Sequence, residues 1–258
     1  MGTDVRTELE DGVFTVTLDR PQKKNALTLA MYEGLVDAYT KASEDPAVRV
    51  VLLRGEGGTF TAGNDLMDFM QDPPKDDDSP VARFLKVLVS FAKPAVAAVE
   101  GHAIGLGSTL LLHTDLVYAA ADAKFRLPFV NLGLVPEGAS SYLLPRTAGW
   151  RLTAELVYFG EPFDAETAQR AGLVNRIVAP GEVVAVATER AQALAKKPIG
   201  ALMDAKRLLL AGQRDATEGA LRREGEIFTS RLTSPEAMEA FTAFFERRDP
   251  DFTMFPAG

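Results

Sequence analysis

Residues 94–112 read PAVAAVEGHAIGLGSTLLL and combine two kinds of local pattern. PAVAAVE is a short, nearly continuous apolar run, which is typical of a strand buried on both faces of a sheet. Gly105 and Gly107 then bracket Leu106 directly before an apolar segment of helical length. The stretch therefore predicts a strand, a tight turn and a helix, which are the parts of an α/β protein with a largely parallel sheet.

The same order of elements occurs earlier in the chain. VRVVLLRG at 48–55 reads as a buried strand, and the turn that follows contains AGND, in which Asp65 is suited to cap a short helix. Backbone N–H groups at strand-to-helix turns are unpaired, so two such turns placed together would stabilise an oxyanion such as the enolate of a thioester. Taken alone, each glycine is equally explained by a need for a tight turn.

The two ends of the chain differ in pattern. VRTELEDGVFTVTLDRP predicts a hairpin that turns at Asp11-Gly12, and Thr28 is a plausible N-cap for the first long helix. After Pro180 the alternation stops, and helices are expected at 181–197, 198–212, 215–232 and 235–247. We divide the chain into a core at 1–195 and a helical segment at 196–258.

Composition excludes several classes of protein. The 258 residues carry a formal charge of −8 and include no cysteine, which argues against nucleic acid, anionic membranes and thiolate chemistry. Neither a P-loop nor a complete dinucleotide fingerprint is present, and the two histidines lack metal-ligand spacing, so we expect no metal. The acidic residues 76–78 are expected to form a solvated loop, and His113 a satisfied structural histidine. A cytoplasmic protein is expected, since no apolar run reaches the roughly 18 residues of a membrane span.

One carboxylate needs a separate explanation. Glu137 lies in VPEGASSY, directly after the apolar stretch KFRLPFVNLGL. At this position an acid is either a helix-start carboxylate favoured by the helix dipole or a buried group used for proton transfer. Position alone does not separate these two interpretations.

Four motifs then give a specific resemblance. LDRPQKKNALT, TFTAGNDLMDF, the long stretch from KPAVAAVEGHAIGLG to LLPRTAG, and FDAETAQRAGLVNRIV follow one another as in the crotonase, or enoyl-CoA hydratase/isomerase, superfamily. The resemblance covers about residues 5–250. It implies a spiral of ββα units, a C-terminal helical segment used in trimer formation and an acyl-CoA substrate. It also implies that the backbone N–H groups of Asn64 and Leu106 form the oxyanion hole.

The resemblance also bears on the reaction. Hydratases of the superfamily use two glutamates, and the matching positions here are Thr109 and Phe129. AGNDL together with PEGASSY is similar to the peroxisomal-type Δ3,Δ2-enoyl-CoA isomerases and their bacterial relatives, in which the glutamate of the second motif is the catalytic base. This implies that Glu137 moves a proton from C2 to C4 of a 3-enoyl-CoA. A divergent enoyl-CoA hydratase and a non-catalytic acyl-CoA-binding module are the alternatives.

The resemblance finally implies where coenzyme A binds and how the chain assembles. Coenzyme A is part of the substrate, so no separate cofactor is expected. Lys206 and Arg207, at the start of an appended helix, either meet its phosphates or are ordinary solvated charges. Apolar residues in the C-terminal helices are expected to pack against neighbouring subunits in a homotrimer or a dimer of trimers. These residues are Leu208, Leu209, Leu210, Ile227, Phe228, Phe241, Phe244 and Phe245. The backbone groups expected to contact the coenzyme belong to Ala26, Ala62, Gly63, Asn64, Asp65 and Leu66.

Overall fold

The computed structural model describes residues 4–74 and 78–255, which fold into two sheets with helices packed around them. The strands are β1 (Val5–Glu10), β2 (Val13–Leu18), β3 (Val50–Gly55), β4 (Ala95–Val99), β5 (His102–Ile104), β6 (Leu116–Ala120), β7 (Lys124–Arg126), β8 (Phe163–Asp164) and β9 (Arg176–Val178). The first sheet has the order β1-β2-β3-β4-β6-β9, and the second has the order β5-β7-β8.

The first sheet is parallel except at one edge. β2, β3, β4, β6 and β9 pair in parallel, whereas β1 pairs antiparallel with β2. The predicted hairpin is confirmed, with φ values of 49° at Asp11 and 80° at Gly12. Positive φ at both central residues is the turn geometry that matches the twist of paired strands. The two runs predicted as buried strands are β3 and β4, and β4 is buried at every position.

The helices lie in chain order between and after these strands. They are α1 (Leu29–Glu44), α2 (Leu66–Gln71), α3 (Pro80–Ser90), α4 (Leu106–Thr109), α5 (Ser140–Thr147), α6 (Trp150–Phe159), α7 (Ala165–Arg170), α8 (Val183–Ala195), α9 (Ile199–Ala211), α10 (Arg214–Arg231) and α11 (Pro235–Glu246). The predicted caps are confirmed: Thr28 accepts a hydrogen bond from the amide of Met31, and Asp65 accepts from Met67 and Asp68.

Two helices cover the region that will form the site. α1 and α3 pack side by side, and the ring of Tyr39 lies 6.0 Å from that of Phe84 and 5.0 Å from that of Phe91, edge-on in both cases. Such edge-to-face contacts add to the free energy that burial of the rings contributes. α8 packs across β3, β4 and β6 and covers one face of these parallel strands.

The four predicted C-terminal helices are present, as α8 to α11. Their apolar residues divide into two groups. Phe228 and Phe241 are buried against the core of the same chain, contrary to the expectation that they face a neighbouring subunit. Leu208 and Leu209 are 71% and 83% exposed, on α9. No helix in the described ranges is long and apolar enough to cross a membrane. Asp76 and Asp77 of the expected acidic loop lie outside the described residues, and Asp78 is exposed.

Candidate active site

The two glycine-bearing turns lie side by side. A parallel bridge pairs Thr61 with Ala103, and Asn64 and Leu106 each follow their bridge residue by three positions. Gly63 has φ of +82°, and a Cβ atom there would lie 2.5 Å from the carbonyl oxygen of Ile104. A Cβ at Gly107 would lie 2.6 Å from Cγ2 of Thr61. Only glycine allows the two turns to approach this closely.

Both turns leave an amide without a partner. The amide of Leu27 donates to the carbonyl of Gly63, and the amide of Asp65 donates to the carbonyl of Leu27. The amide of Asn64, which lies between these two positions, takes part in neither hydrogen bond. Leu106 is the first residue of α4, where helix geometry provides no acceptor. Within the described ranges, neither amide donates a hydrogen bond. The two N–H groups are therefore available to an oxygen of a ligand.

Glu137 is buried at the edge of a cavity. Its side chain is 6% exposed, and its Oε1 atom has no hydrogen-bond partner among the described residues. Burial, together with the charge of Glu224, raises the pKa of Glu137 to about 8. A carboxyl group with that proton affinity is a far stronger base than a solvated glutamate. Residues of α4 lie close by, because a Cβ at Gly138 would be 3.2 Å from Oγ1 of Thr109.

Glu224 was missed by the sequence analysis. It lies on α10, is 5% exposed, and accepts hydrogen bonds from the amides of Ala139 at 2.6 Å and Ser141 at 2.8 Å. These amides belong to the N-terminus of α5, so Glu224 takes the helix-start role that was the alternative for Glu137. The available signal was spacing: Ala220, Glu224 and Phe228 follow each other at four-residue intervals on the buried face of α10.

Tyr32 connects the turns with the carboxylate. Its buried hydroxyl donates to Oδ1 of Asn64. Burial, and next the charge of Glu137, raises the pKa of the Tyr32 phenol well above its usual value. Tyr32 is therefore close enough to Glu137 to feel its charge, and it stays protonated while it holds the Asn64 side chain.

A cavity of about 670 Å³ opens between α3 and α10, with Glu137 in its wall. Most of the surface that lines it is apolar, and Phe69 and Phe228 meet edge-on at 6.0 Å between ring centroids. A volume of this size is in the range of small-molecule sites. Its other apolar lining residues are Pro74, Val81, Ala82, Leu85, Val89 and Leu221.

The residues expected to contact coenzyme A cluster in part. Ala26, Ala62, Asn64, Asp65 and Leu66 are half-buried in the chain segments joined by the Leu27–Asn64 bridge. Arg20 holds this region together, because its Nη1 donates to the carbonyl of Ala26 at 3.0 Å and to the carboxylate of Asp65 at 2.7 Å. Burial opposes ionisation of Asp65, but the hydrogen bonds from Arg20 and two backbone amides outweigh it and lower the pKa of that carboxyl.

Lys206 does not belong to this cluster. It lies in the middle of α9 rather than at its start, and its Nζ contacts Asp115 at 2.8 Å and the carbonyl of Lys93 at 3.1 Å. It lines a second cavity, of about 720 Å³, beside His113. The ion pair already neutralises the charge that was expected to meet a phosphate. A phosphate contact by Lys206 stays a prediction that would have to compete with Asp115.

The remaining expectations concern residues around Glu137. Thr109 and Phe129, which stand where hydratases carry glutamates, are both buried. His113 is satisfied, with Nε2–H donating to the carbonyl of Gly138 at 2.7 Å, and burial lowers the pKa of its ring. Within residues 4–74 and 78–255, no group of His, Asp and Glu is placed to hold a metal ion.

Comparisons with known proteins show what this chain is similar to. The sequence model for enoyl-CoA hydratase/isomerase matches residues 8–254. Human enoyl-CoA delta isomerase 2 is 32% identical over 246 residues, which span 93% of this chain but only 62% of that protein. The 2,3-dehydroadipyl-CoA hydratase of Escherichia coli (strain K12) is 33% identical over 243 residues, 93% of this chain and 94% of that protein.

A solved structure extends the match to three dimensions. The enoyl-CoA hydratase/isomerase from Pseudoalteromonas atlantica T6c superimposes with a TM-score of 0.92 at 40% sequence identity. The superposition covers 97% of this chain and 100% of that chain. The relatives are thus named both isomerase and hydratase, so the comparisons establish the fold but do not distinguish isomerisation from hydration.

Proposed function

The chain belongs to the enoyl-CoA hydratase/isomerase family, and from that premise we propose that it moves the 3,4 double bond of an enoyl-CoA to the 2,3 position. The observation that carries this proposal is the environment of Glu137. It is a buried carboxyl in the cavity wall, and its Oε1 is left without a hydrogen-bond partner among the described residues. A free buried carboxylate oxygen is available to accept a proton from carbon.

The reaction needs one base that reaches two carbons. The Glu137 carboxylate removes a proton from C2, and the electron pair moves through the thioester carbonyl to give a dienolate. Glu137 then returns the proton at C4, which leaves a double bond between C2 and C3 and the enzyme unchanged. The substrate and product have the same composition, so no water or second acid is required.

The dienolate oxygen is held by the amides of Asn64 and Leu106. Because these donors have no internal partner in the described ranges, they are ready to bind the charge that develops on the thioester oxygen. Fixed backbone dipoles of this kind need no reorganisation during the reaction, and losing one typically costs about 100- to 1,000-fold in turnover. The apolar cavity between α3 and α10 would take the acyl chain.

Hydration is the second candidate, since a relative is named a hydratase. Adding water needs one group to activate the water and another to protonate the α-carbon. The corresponding positions hold Thr109 and Phe129, and neither side chain is an acid or a base. We therefore expect hydration of a 2-enoyl-CoA to be slow.

Paired assays test the proposal. Formation of the conjugated thioester from a 3-enoyl-CoA and hydration of crotonyl-CoA are followed by ultraviolet absorbance with the same protein. Isomerisation should be the faster reaction, and Glu137→Gln should lower it by roughly 100- to 10,000-fold while acyl-CoA binding, measured by calorimetry, is retained.

Other results would lead to other functions. Hydration that is faster than isomerisation would make the chain a divergent hydratase. Acyl-CoA binding without either activity would identify a binding module. Near-parental isomerisation by Glu137→Gln would remove Glu137 from the mechanism.

A further inference from the structure

The turn that carries Glu137 is held in an unusual backbone conformation. Two consecutive residues after Glu137 adopt left-handed φ values, 69° at Gly138 and 57° at Ala139. A left-handed φ is unfavourable for an L-residue such as Ala139, so this conformation persists only where surrounding contacts fix it. The direction of the Glu137 side chain depends on this turn.

Glu224 supplies those contacts from a distant segment. Its Oε2 accepts from the amide of Ala139 and its Oε1 from the amide of Ser141, so both carboxylate oxygens are used within one short turn. On the other side, the carbonyl of Glu137 accepts from the hydroxyl of Ser140 at 2.6 Å. A carboxylate bound to two separate amides sets orientation as well as position.

Glu224 is also a buried charge beside a buried acid. Burial raises the pKa of Glu224, but the two amide donors favour its ionised form, whereas Oε1 of Glu137 has no donor among the described residues. Glu224 therefore ionises first, and its charge is one cause of the raised pKa of Glu137. Among the described residues, the other titratable groups that face this turn, act on Glu224 or line the cavity are Tyr32 on α1, Lys86 on α3, His113, and Glu218, Arg222, Arg223 and Glu226 on α10.

We propose that Glu224 is a positioning residue for the Glu137 base, holding its turn through two amide hydrogen bonds and placing a second negative charge beside its carboxyl. This inference rests on the role proposed above for Glu137. It means that α10 of the C-terminal helical segment contributes to the site, because its Glu224 supplies both of these hydrogen bonds.

Two substitutions at position 224 separate the two effects. Glu224→Gln removes the charge and leaves one of the two amides without an acceptor. Glu224→Asp keeps the charge but is one methylene shorter, so it cannot reach both amides. Glu226→Gln is the matched control, since Glu226 lies on the same helix and lines the same cavity but is exposed, where water screens its charge.

The first measurement does not need enzyme activity. Carbon-13 labelling of the glutamate side-chain carboxyls gives a titration curve for each, and the resonance missing from Glu137→Gln identifies Glu137. Glu224→Gln should lower the pKa of Glu137 by about one unit, a tenfold change in its ionisation constant. Glu224→Asp should leave it near the parental value, and Glu226→Gln should lower it by less than Glu224→Gln does.

The second measurement is the pH profile of kcat/KM for isomerisation. Glu224→Gln should lower the plateau of kcat/KM at high pH at least tenfold. The part of the profile in which kcat/KM rises with pH should move to lower pH. Glu224→Asp should also lower the plateau of kcat/KM, but the rising part of the profile should stay at the parental pH. A plateau that falls in Glu224→Gln while the titration of Glu137 stays in place would reduce Glu224 to a structural role and overturn the proposal.

The remaining outcomes are also decisive. If the parent protein does not isomerise 3-enoyl-CoA, the proposed function fails, but the carboxyl titration still decides whether Glu224 acts on Glu137. If Glu224→Gln does not fold by circular dichroism, Glu224→Asp decides, since a parental plateau in that variant would show that the exact reach of the side chain is irrelevant.

Discussion

Replacing Glu137 by glutamine should stabilise the protein, and the gain should grow as the pH rises. A glutamate in the unfolded chain ionises near its ordinary pKa of 4.5, whereas burial beside Glu224 raises the pKa of Glu137 to about 8 in the folded protein. Between these values the folded state keeps a proton that the unfolded state has lost. The stability of the parent protein therefore falls as pH rises through this window, and glutamine has no such dependence.

The size of the effect follows from the two pKa values. Each unit of difference corresponds to about 1.4 kcal/mol, so the full effect above pH 8 is on the order of 5 kcal/mol. Between pH 6 and pH 9, the change in the difference between variant and parent is roughly 2.5 kcal/mol, since the folded state ionises within that interval. Solvent screens the charge of this carboxyl little, because Glu137 is only 6% exposed.

Denaturant unfolding at pH 6 and pH 9, at equal protein concentration, measures this difference. Glu155→Gln provides the control: Glu155 is an exposed glutamate on α6, outside the lining of the cavity, and its removal should change stability equally at both pH values. If parent and Glu137→Gln lose stability in parallel as the pH rises, Glu137 ionises like an ordinary glutamate. The reasoning that makes it a strong base would then be refuted.

Three further predictions concern activity and assembly. Isomerisation kcat/KM should rise about tenfold per pH unit below pH 8 and level off above it, because only ionised Glu137 accepts a proton; a profile flat from pH 6 to 9 would contradict this. Leu106→Pro should lower turnover at least about 100-fold, whereas Leu106→Ala keeps the backbone donor and much of the activity. Equal rates in the two variants, with folding checked by circular dichroism, would exclude the Leu106 amide from the oxyanion hole. Sedimentation velocity should find a trimer or hexamer that Leu208→Glu with Leu209→Glu dissociates, since both leucines are exposed on α9; a parent that is monomeric at micromolar concentration would refute this.

Local chemistry explains what could be predicted from the sequence. The hairpin at Asp11-Gly12, the cap at Thr28 and the buried strands β3 and β4 depend on residues that are neighbours in the chain. The helix expected at 198–212 is α9, Ile199–Ala211, because Pro198 and Gly212 mark its ends. Glu137 and the turns at Asn64 and Leu106 each lie in a short motif, and their proposed roles came from the resemblance of these motifs to the crotonase superfamily.

Contacts between distant segments required the tertiary structure. Glu224 lies 85 residues from Ala139 along the chain, and a lone acid on the apolar face of a helix predicts burial but not which amides it will meet. Lys206 was expected either to meet a phosphate or to be an ordinary solvated charge, and only the folded chain shows that it pairs with Asp115, 91 residues away. Phe228 and Phe241 likewise pack inward, because the path of α10 and α11 over the core decides which faces are covered. The sequence alone singled out Glu137 as the proposed base. Only the packing of α10 against the Glu137 turn shows which carboxylate binds the neighbouring amides and adds its charge to the burial that raises the pKa of Glu137.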